Sequence, residues 1–279
     1  MSDSEKDHFS LPSEITHYYE RGLEVQRFSG ALGELELLRT KEIVNRYLPD
    51  PPVTILDVGG GPGIYASWLA LERHEVHLID PIPLHVKQAH QASRDQPNHP
   101  ISSIRIGDAR KIAQPDASVD VVLMFGPLYH LTDRDDRILA LREACRVLRK
   151  RGHIFAVGIS RFASALDGLV RGLLDDPEFM RIVQRDLTNG QHRNPTDKSS
   201  YFTTAFLHHP KELAAEVEEA GFHLEKILAI EGPAALLQDL DERWGDRNRR
   251  KQLLNTLRWL EDEPSILGIT GHMMAIARK

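Results

Sequence analysis

Apolar and polar positions along the chain follow two alternating patterns. Residues 53–58, Val53-Thr54-Ile55-Leu56-Asp57-Val58, form a nearly continuous apolar run, the mark of a strand buried on both faces. Residues 75–80, 103–106, 119–124 and 153–159 also read as strands, 119–124 nearly all apolar and 153–159 after a turn marked by Gly152. Helical spacing fills the intervals at 64–72, 84–93 and 134–148. Ahead of the first strand, residues 13–48 read as two helices around Gly30 and Gly33. Leu35, Leu38, Ile43 and Leu48 mark the second, and Pro49, Pro51 and Pro52 end it. Strands alternating with helices predict an α/β fold, a doubly wound parallel sheet covered on both faces.

The rhythm changes after Ser160. Residues 161–209 hold Asn189-Gly190, Asn194-Pro195 and scattered polar positions, and read as an insertion of helices and an ordered loop. A helix at 210–220, stopped by Gly221, leads to a strand at 222–230. A second helical insertion covers about 232–265, and 268–277 reads as the final strand. The expected organisation is an N-terminal helical lid segment over 1–50, then one domain over 51–279 carrying both insertions.

Composition narrows the class. Of 279 residues, 41% are hydrophobic and 27% charged, and the formal net charge is −6. That balance lacks the basic footprint of a nucleic-acid binder. The run Arg247-Asn248-Arg249-Arg250-Lys251 follows Asp239, Asp241 and Glu242, so it reads as a solvated helix face. A single cysteine, Cys145, excludes an internal disulfide and a cysteine zinc site. It reads as a buried structural thiol. Residues 1–10 are polar with no apolar signal core, and no run of about 18 apolar residues suggests a membrane span. A cytoplasmic protein is expected. His208 and His209 are adjacent and so point apart, and no metal site is expected.

The densest motif is Asp57-Val58-Gly59-Gly60-Gly61-Pro62-Gly63, where a strand runs into a glycine loop that opens a helix. Glycines permit positive φ and let a ligand touch the backbone. The helix N-terminus adds unpaired N–H groups. A dinucleotide fingerprint starting at Gly59 needs a small residue at position 64, which is Ile64. An acid at Asp57 would also repel a pyrophosphate and attract a cationic amino group. Asp80 ends the second strand, where an acid accepts bonds from ribose hydroxyls. Gly107-Asp108-Ala109 follows the third, where an acid can receive an adenine amino group.

Taken in order with Phe125-Gly126-Pro127-Leu128-Tyr129-His130 after the fourth strand, these motifs resemble the class I S-adenosylmethionine-dependent methyltransferases over residues 53–160, the 210–230 helix and strand, and the final strand. The resemblance implies a Rossmann-like seven-stranded sheet whose last strand is antiparallel. It implies S-adenosylmethionine as cofactor, with Gly59, Gly61 and Gly63 lining it and Asp57 facing its amino group. Asp80, with Pro81 beside it, would hold the ribose, and Asp108 with Ala109 the adenine. Phe125 or Gly126 would flank the methionine part. In many relatives an N-terminal helix closes over the cofactor, which brings in Tyr19 and Arg27.

Acceptor-side candidates follow the strand ends. Tyr129 and His130 lie past the fourth strand, and His130 titrates near neutrality in the usual case, so it can act as a base or cap the next helix. Arg161 follows the fifth strand and can hold an anionic substrate or form a structural ion pair. His192, in the loop Gly190-Gln191-His192-Arg193, belongs to a lid candidate. The Asn-Pro-Pro-Tyr-type tetrapeptide of base- and amide-methylating relatives is absent after the fourth strand. With the acidic charge, this favours a small-molecule acceptor, in natural-product or secondary metabolism, methylated at O, N or C. The alternatives are an RNA methyltransferase, an NAD-dependent oxidoreductase and a catalytically silent binding module. No nucleic-acid or membrane partner is expected. The N-terminal segment can serve as a lid or as the contact of a homo-oligomer.

Overall fold

A computed structural model describes residues 11–196 and 198–279; the polar stretch 1–10 lies outside them. The described chain opens with α1 (Ser13–Glu20), a 3-10 turn at Leu23–Gln26, and α2 (Gly30–Tyr47). The helix–strand alternation then runs β1 (Thr54–Val58), α3 (Ile64–Leu71), β2 (Glu75–Asp80), α4 (Pro83–Asp95), β3 (Ser103–Ile106) and β4 (Val119–Met124). After it come α5 (Pro127–His130), α6 (Arg134–Val147) and β5 (Leu148–Ser160). The first insertion holds α7 (Ala163–Arg171), α8 (Pro177–Asn189), β6 (Gln191–His192) and β7 (Ala205–His208). Then α9 (Pro210–Glu219), β8 (His223–Ala229), α10 (Leu240–Gly245), α11 (Arg247–Leu260) and β9 (His272–Arg278) complete the chain.

Strands β3, β2, β1, β4 and β5 are parallel neighbours in that order. β9 runs antiparallel between β5 and β8. Strands β1–β5, β8 and β9 therefore form the expected Rossmann-like seven-stranded sheet with an antiparallel last strand. Side chains alternate across it. Leu56, Val58, Val122 and Met124 bury one face together with Leu141 and Ala144 of α6 and Val217 of α9. Ile55, Val121 and Leu123 bury the other against Ile43 of α2, Leu69 of α3 and Ala89 of α4. Each large apolar side chain fully buried in this way stabilises the fold by roughly 1.5–3 kcal/mol before ordering costs.

Three local features depart from the sequence pattern. β5 begins at Leu148 rather than at 153, because the register slips between Val119↔Leu148 and Val121↔His153 and Arg151 takes φ +69°. Residues 127–130 form a helical turn, with Pro127 suited to its first position. The third is the short antiparallel pair β6–β7 inside the first insertion. Ile159 of β5 pairs with His272 on one edge and with Leu207 on the other. β7 therefore takes the edge of β5 that β4 leaves when it ends at Met124, and hangs over α5.

A buried ion pair clamps the helices of one layer. Arg137 of α6 donates from Nε and Nη2 to Glu216 of α9 at 2.8 and 2.6 Å, and from Nη1 to the carbonyls of Leu131 and Thr132. Its guanidinium stacks 3.6 Å from the Phe206 ring centroid. Among the described residues no helix is long and apolar enough to cross a membrane.

Candidate active site

Two cavities open beyond the carboxyl ends of the parallel strands. The first is built on the glycine loop. Gly59, Gly61 and Gly63 take φ of +68°, +56° and +86°, values that L side chains seldom adopt. A Cβ on Gly60 would stand 2.7 Å from Asp57 Oδ2 and from Leu78. The loop thus folds down onto Asp57, whose side chain points beneath it. Gly59, Gly60 and Gly61 line the cavity. Gly63 does not; a Cβ there would meet Ala89 Cβ at 3.1 Å, so its small size serves the packing of α3 on α4.

The acids converge on the same space. Asp57, Asp80 and Asp108 all line the first cavity, with Pro81, Ala109, Phe125 and Gly126. Asp57 is 1% exposed, and its Oδ2 has no hydrogen-bond partner. Burial, and then the nearby charge of Asp80, push its carboxyl up to about 7. Asp80 Oδ2 accepts from the Gly61 N–H at 2.8 Å, while Oδ1 accepts from the Ile82 N–H at 2.9 Å and lies 3.1 Å from His85 Nδ1. His85 Nε2, buried in the wall of the same cavity, has no partner. Asp108 is held by Arg110, which donates to both carboxylate oxygens.

Helix α1 closes the first cavity from above. Ile15 and Tyr19 pack against Ile82, and the Tyr19 ring stands edge-on to His85 and to His130. The Tyr19 hydroxyl lies 2.5 Å from His130 Nε2, and His130 Nδ1 lies 3.3 Å from the Thr204 carbonyl on the approach to β7. Burial lowers the His130 ring to about 4, against the Thr204 bond that favours its charged form. The expectation that His130 titrates near neutrality is therefore corrected: it is a neutral ring with both nitrogens engaged.

Tyr19, Glu24, Arg27 and Tyr129 line both cavities. Gly33 helps to place Arg27, because a Cβ there would meet the Arg27 carbonyl at 2.8 Å and the Phe28 backbone at 2.7 Å. Arg27 donates to Glu36 at 2.6 Å, to Glu24 at 3.3 Å and to the Tyr129 hydroxyl at 3.4 Å. Behind it His272 bonds Glu231 at 2.6 Å. Burial opposes the His272 charge, but Glu36 and Glu231 outweigh it and raise the ring above its ordinary value. Glu36, Glu231 and His272 have metal-ligand chemistry and lie within 4.8 Å of one another. Arg27 donates into that group, so it is a charge network joined through an arginine.

The second cavity, about 370 Å³, lies between the sheet and the first insertion. His192 lines it, with Nδ1 2.8 Å from Asp186 Oδ2 and Nε2 2.8 Å from the Tyr201 carbonyl. Arg161 lines neither cavity. It donates to the Leu207 carbonyl at 2.8 Å and to Glu212 at 2.5 Å, so of the two expected readings the structural ion pair fits. Glu24, Phe28, Tyr65 and His85 complete the first cavity without having carried a sequence signal. Glu24 stands on the 3-10 turn, Phe28 just after it, Tyr65 on α3 and His85 on α4, and only the folded chain makes them neighbours.

Residues 56–156 match the methyltransferase domain family. The chain is also similar to an uncharacterized methyltransferase of Schizosaccharomyces pombe, 27% identical over 209 residues that cover 74% of this chain and 73% of that protein. These two similarities support an S-adenosylmethionine-dependent methyltransferase of class I. Solved structures agree on the fold of this methyltransferase. A methyltransferase from Methanosarcina mazei superposes with a TM-score of 0.58 at 18% identity, over 85% of this chain and 96% of that one. One from Mesorhizobium loti gives 0.58 at 16% identity, over 86% and 98%.

The first cavity's chemistry fits the cofactor. An adenosyl amino acid brings an ammonium, ribose hydroxyls and an adenine amine. The cavity offers the unpartnered Asp57 Oδ2, the acceptor Asp80 beside the unpartnered His85 Nε2, and the carboxylate of Asp108.

Proposed function

We propose that the methyltransferase transfers its methyl group to a small-molecule acceptor seated in the second cavity. The observation that carries this reading is that the two cavities meet along one wall, made by Tyr19, Glu24, Arg27 and Tyr129. Asp57 faces the cofactor's ammonium, and Asp80 with His85 takes its ribose. Asp108 and Ala109 hold the adenine, and Phe125 and Gly126 flank the methionine chain. Gly59, Gly60 and Gly61 let that chain lie against the backbone. When bound, S-adenosylmethionine would supply a methyl group already activated on a sulfonium centre.

The protein's own part is alignment and exclusion of water. Holding two reactants in line can lower a barrier by about 7–11 kcal/mol. The lid segment, with Tyr19 bonded to His130, covers one side of the first cavity. A ring held near pKa 4 is a weak base, so His130 is read as a positioning residue that accepts the lid's hydroxyl. The net charge of −6 and a second cavity of about 370 Å³ support a small acceptor over a nucleic acid.

Calorimetry tests the cofactor half: S-adenosylmethionine and S-adenosylhomocysteine bind and NAD does not. Turnover with a small-molecule collection, against tRNA as competitor, tests the acceptor half. Turnover confined to tRNA would replace the small-molecule reading.

A further inference from the structure

We infer that the second cavity takes its acceptor as a cation, an amine carried on a flat aromatic body that packs against Phe202. This rests on the reading of that cavity as the acceptor bay.

Phe202 has φ +64° and ψ −175°, a backbone region that is essentially glycine's alone. A phenylalanine there is strained, so its surroundings must hold it. Asn194 does part of this, donating to the Phe202 carbonyl at 2.7 Å. The ring lies in the cavity wall with its centroid 5.5 Å from Tyr18, 6.5 Å from Tyr129 and 6.1 Å from His192. A strained backbone thus holds an aromatic ring among other rings, giving a planar guest several faces.

Charge decides which guest. Among the described residues, every basic side chain lining the cavity already faces a carboxylate. Arg27 is bonded to Glu36 and Glu24, His272 to Glu231, and His192 lies against Asp186. An anionic acceptor would find no waiting donor pair. Carboxylates are in surplus. Glu24 and Asp167 line the cavity, Asp167 already bonded to Arg171 at 2.7 Å, so that with Glu36, Glu231 and Asp186 five carboxylates face the four basic groups Arg27, Arg171, His192 and His272. Asp186 stands fully buried behind the lining residues Ser164 and His192, accepts from the Ser164 hydroxyl at 2.6 Å, and keeps an unpartnered Oδ1. Aromatic faces backed by carboxylates favour an ammonium.

The test uses the full chain saturated with S-adenosylhomocysteine and titrated with matched pairs: tyramine against 4-hydroxyphenylacetate, phenethylamine against phenylacetate, tryptamine against indole-3-acetate. The amine of at least one pair binds ten times more tightly than its acid. Acids binding as well as amines, or no amine binding in any pair, overturns the inference while leaving the cofactor reading intact. Failure to bind S-adenosylhomocysteine overturns the underlying reading instead. Phe202→Gly removes the ring and relieves the backbone, so it keeps the fold. It loses amine binding tenfold or more with unchanged S-adenosylhomocysteine affinity, and Phe202→Tyr retains both. Amine affinity unchanged in Phe202→Gly also overturns the inference.

Discussion

The Tyr19 hydroxyl lies 2.5 Å from Nε2 of His130, and this bond joins α1 to the segment that follows β4. The Thr204 carbonyl can only accept, so His130 Nδ1 carries the ring's proton toward it and Nε2 accepts from Tyr19. Tyr19→Phe removes the donor and leaves a buried acceptor unsatisfied, at a cost of about 1–3 kcal/mol. S-adenosylhomocysteine affinity falls several-fold, and amide exchange of α1 speeds up. Exchange of α1 unchanged from the parent would show that the bond does not hold the lid.

A neutral His130 also sets a kinetic expectation. With the ring at about 4, the pH–rate profile shows no histidine limb between pH 6 and 8. His130→Asn lowers turnover by less than a hundredfold and leaves the shape of the profile unchanged. A limb near 6.5 that vanishes in the variant would restore His130 as a base.

Asp57 titrates near 7 in the ligand-free protein. An ammonium beside it favours the carboxylate, so cofactor binding releases a proton below that pH and tightens as pH rises from 6 to 8. Calorimetry at pH 6.5 in buffers of different ionisation enthalpy measures the release. Asp57→Asn abolishes both the release and the pH dependence.

The same two groups pull ligand-free stability in opposite directions. Native Asp57 keeps a proton that the unfolded chain loses above its ordinary 3.8, so its effect is stability that falls as pH rises from about 4 to about 7. Native His130 rejects a proton that the unfolded chain binds below 6.5, so its effect is stability lost as pH falls from 6.5 to about 4. The slopes cancel over their shared window. Urea midpoints across pH 4–7 reveal each in turn: rising with pH in Asp57→Asn, and falling in His130→Asn. Each slope approaches about 1.4 kcal/mol per pH unit at most.

Arg137→Ala strands Glu216 in the core, since the guanidinium supplies two of its hydrogen bonds. Breaking a buried pair in this way costs about 3–5 kcal/mol. Chemical denaturation of the variant checks it, and a loss under 1 kcal/mol would mean that water replaces the arginine.

The sheet was legible because its strands are apolar runs separated by helical spacing, and buried parallel strands need that pattern. The loop Gly59–Gly61, with Asp57, Asp80 and Asp108, was legible because ligands of such sheets meet the strand ends in chain order. Gly63 looked the same in sequence, yet it answers to Ala89, a contact that local pattern does not encode. His85 and Tyr65 were illegible for the same reason: each sits on a helix face that reads as ordinary packing. Arg161 carried two readings until Glu212 appeared across 51 positions. The strand β7 was hidden because four residues pairing over two register positions leave almost no periodicity.

The first cavity draws no lining residue from beyond Leu131, whereas the second takes half its wall from the segment between β5 and α9. That segment leaves β5 at Ser160, lends β7 to its edge and ends at Pro210, while β5 is also paired to β4 and β9. On the proposed reading, what the protein accepts and what it uses as donor are thus written in largely separate stretches of chain that meet at Tyr19, Glu24, Arg27 and Tyr129. A foreign segment grafted between those points would re-address the methyl group provided that it keeps the Thr204 carbonyl in place against His130.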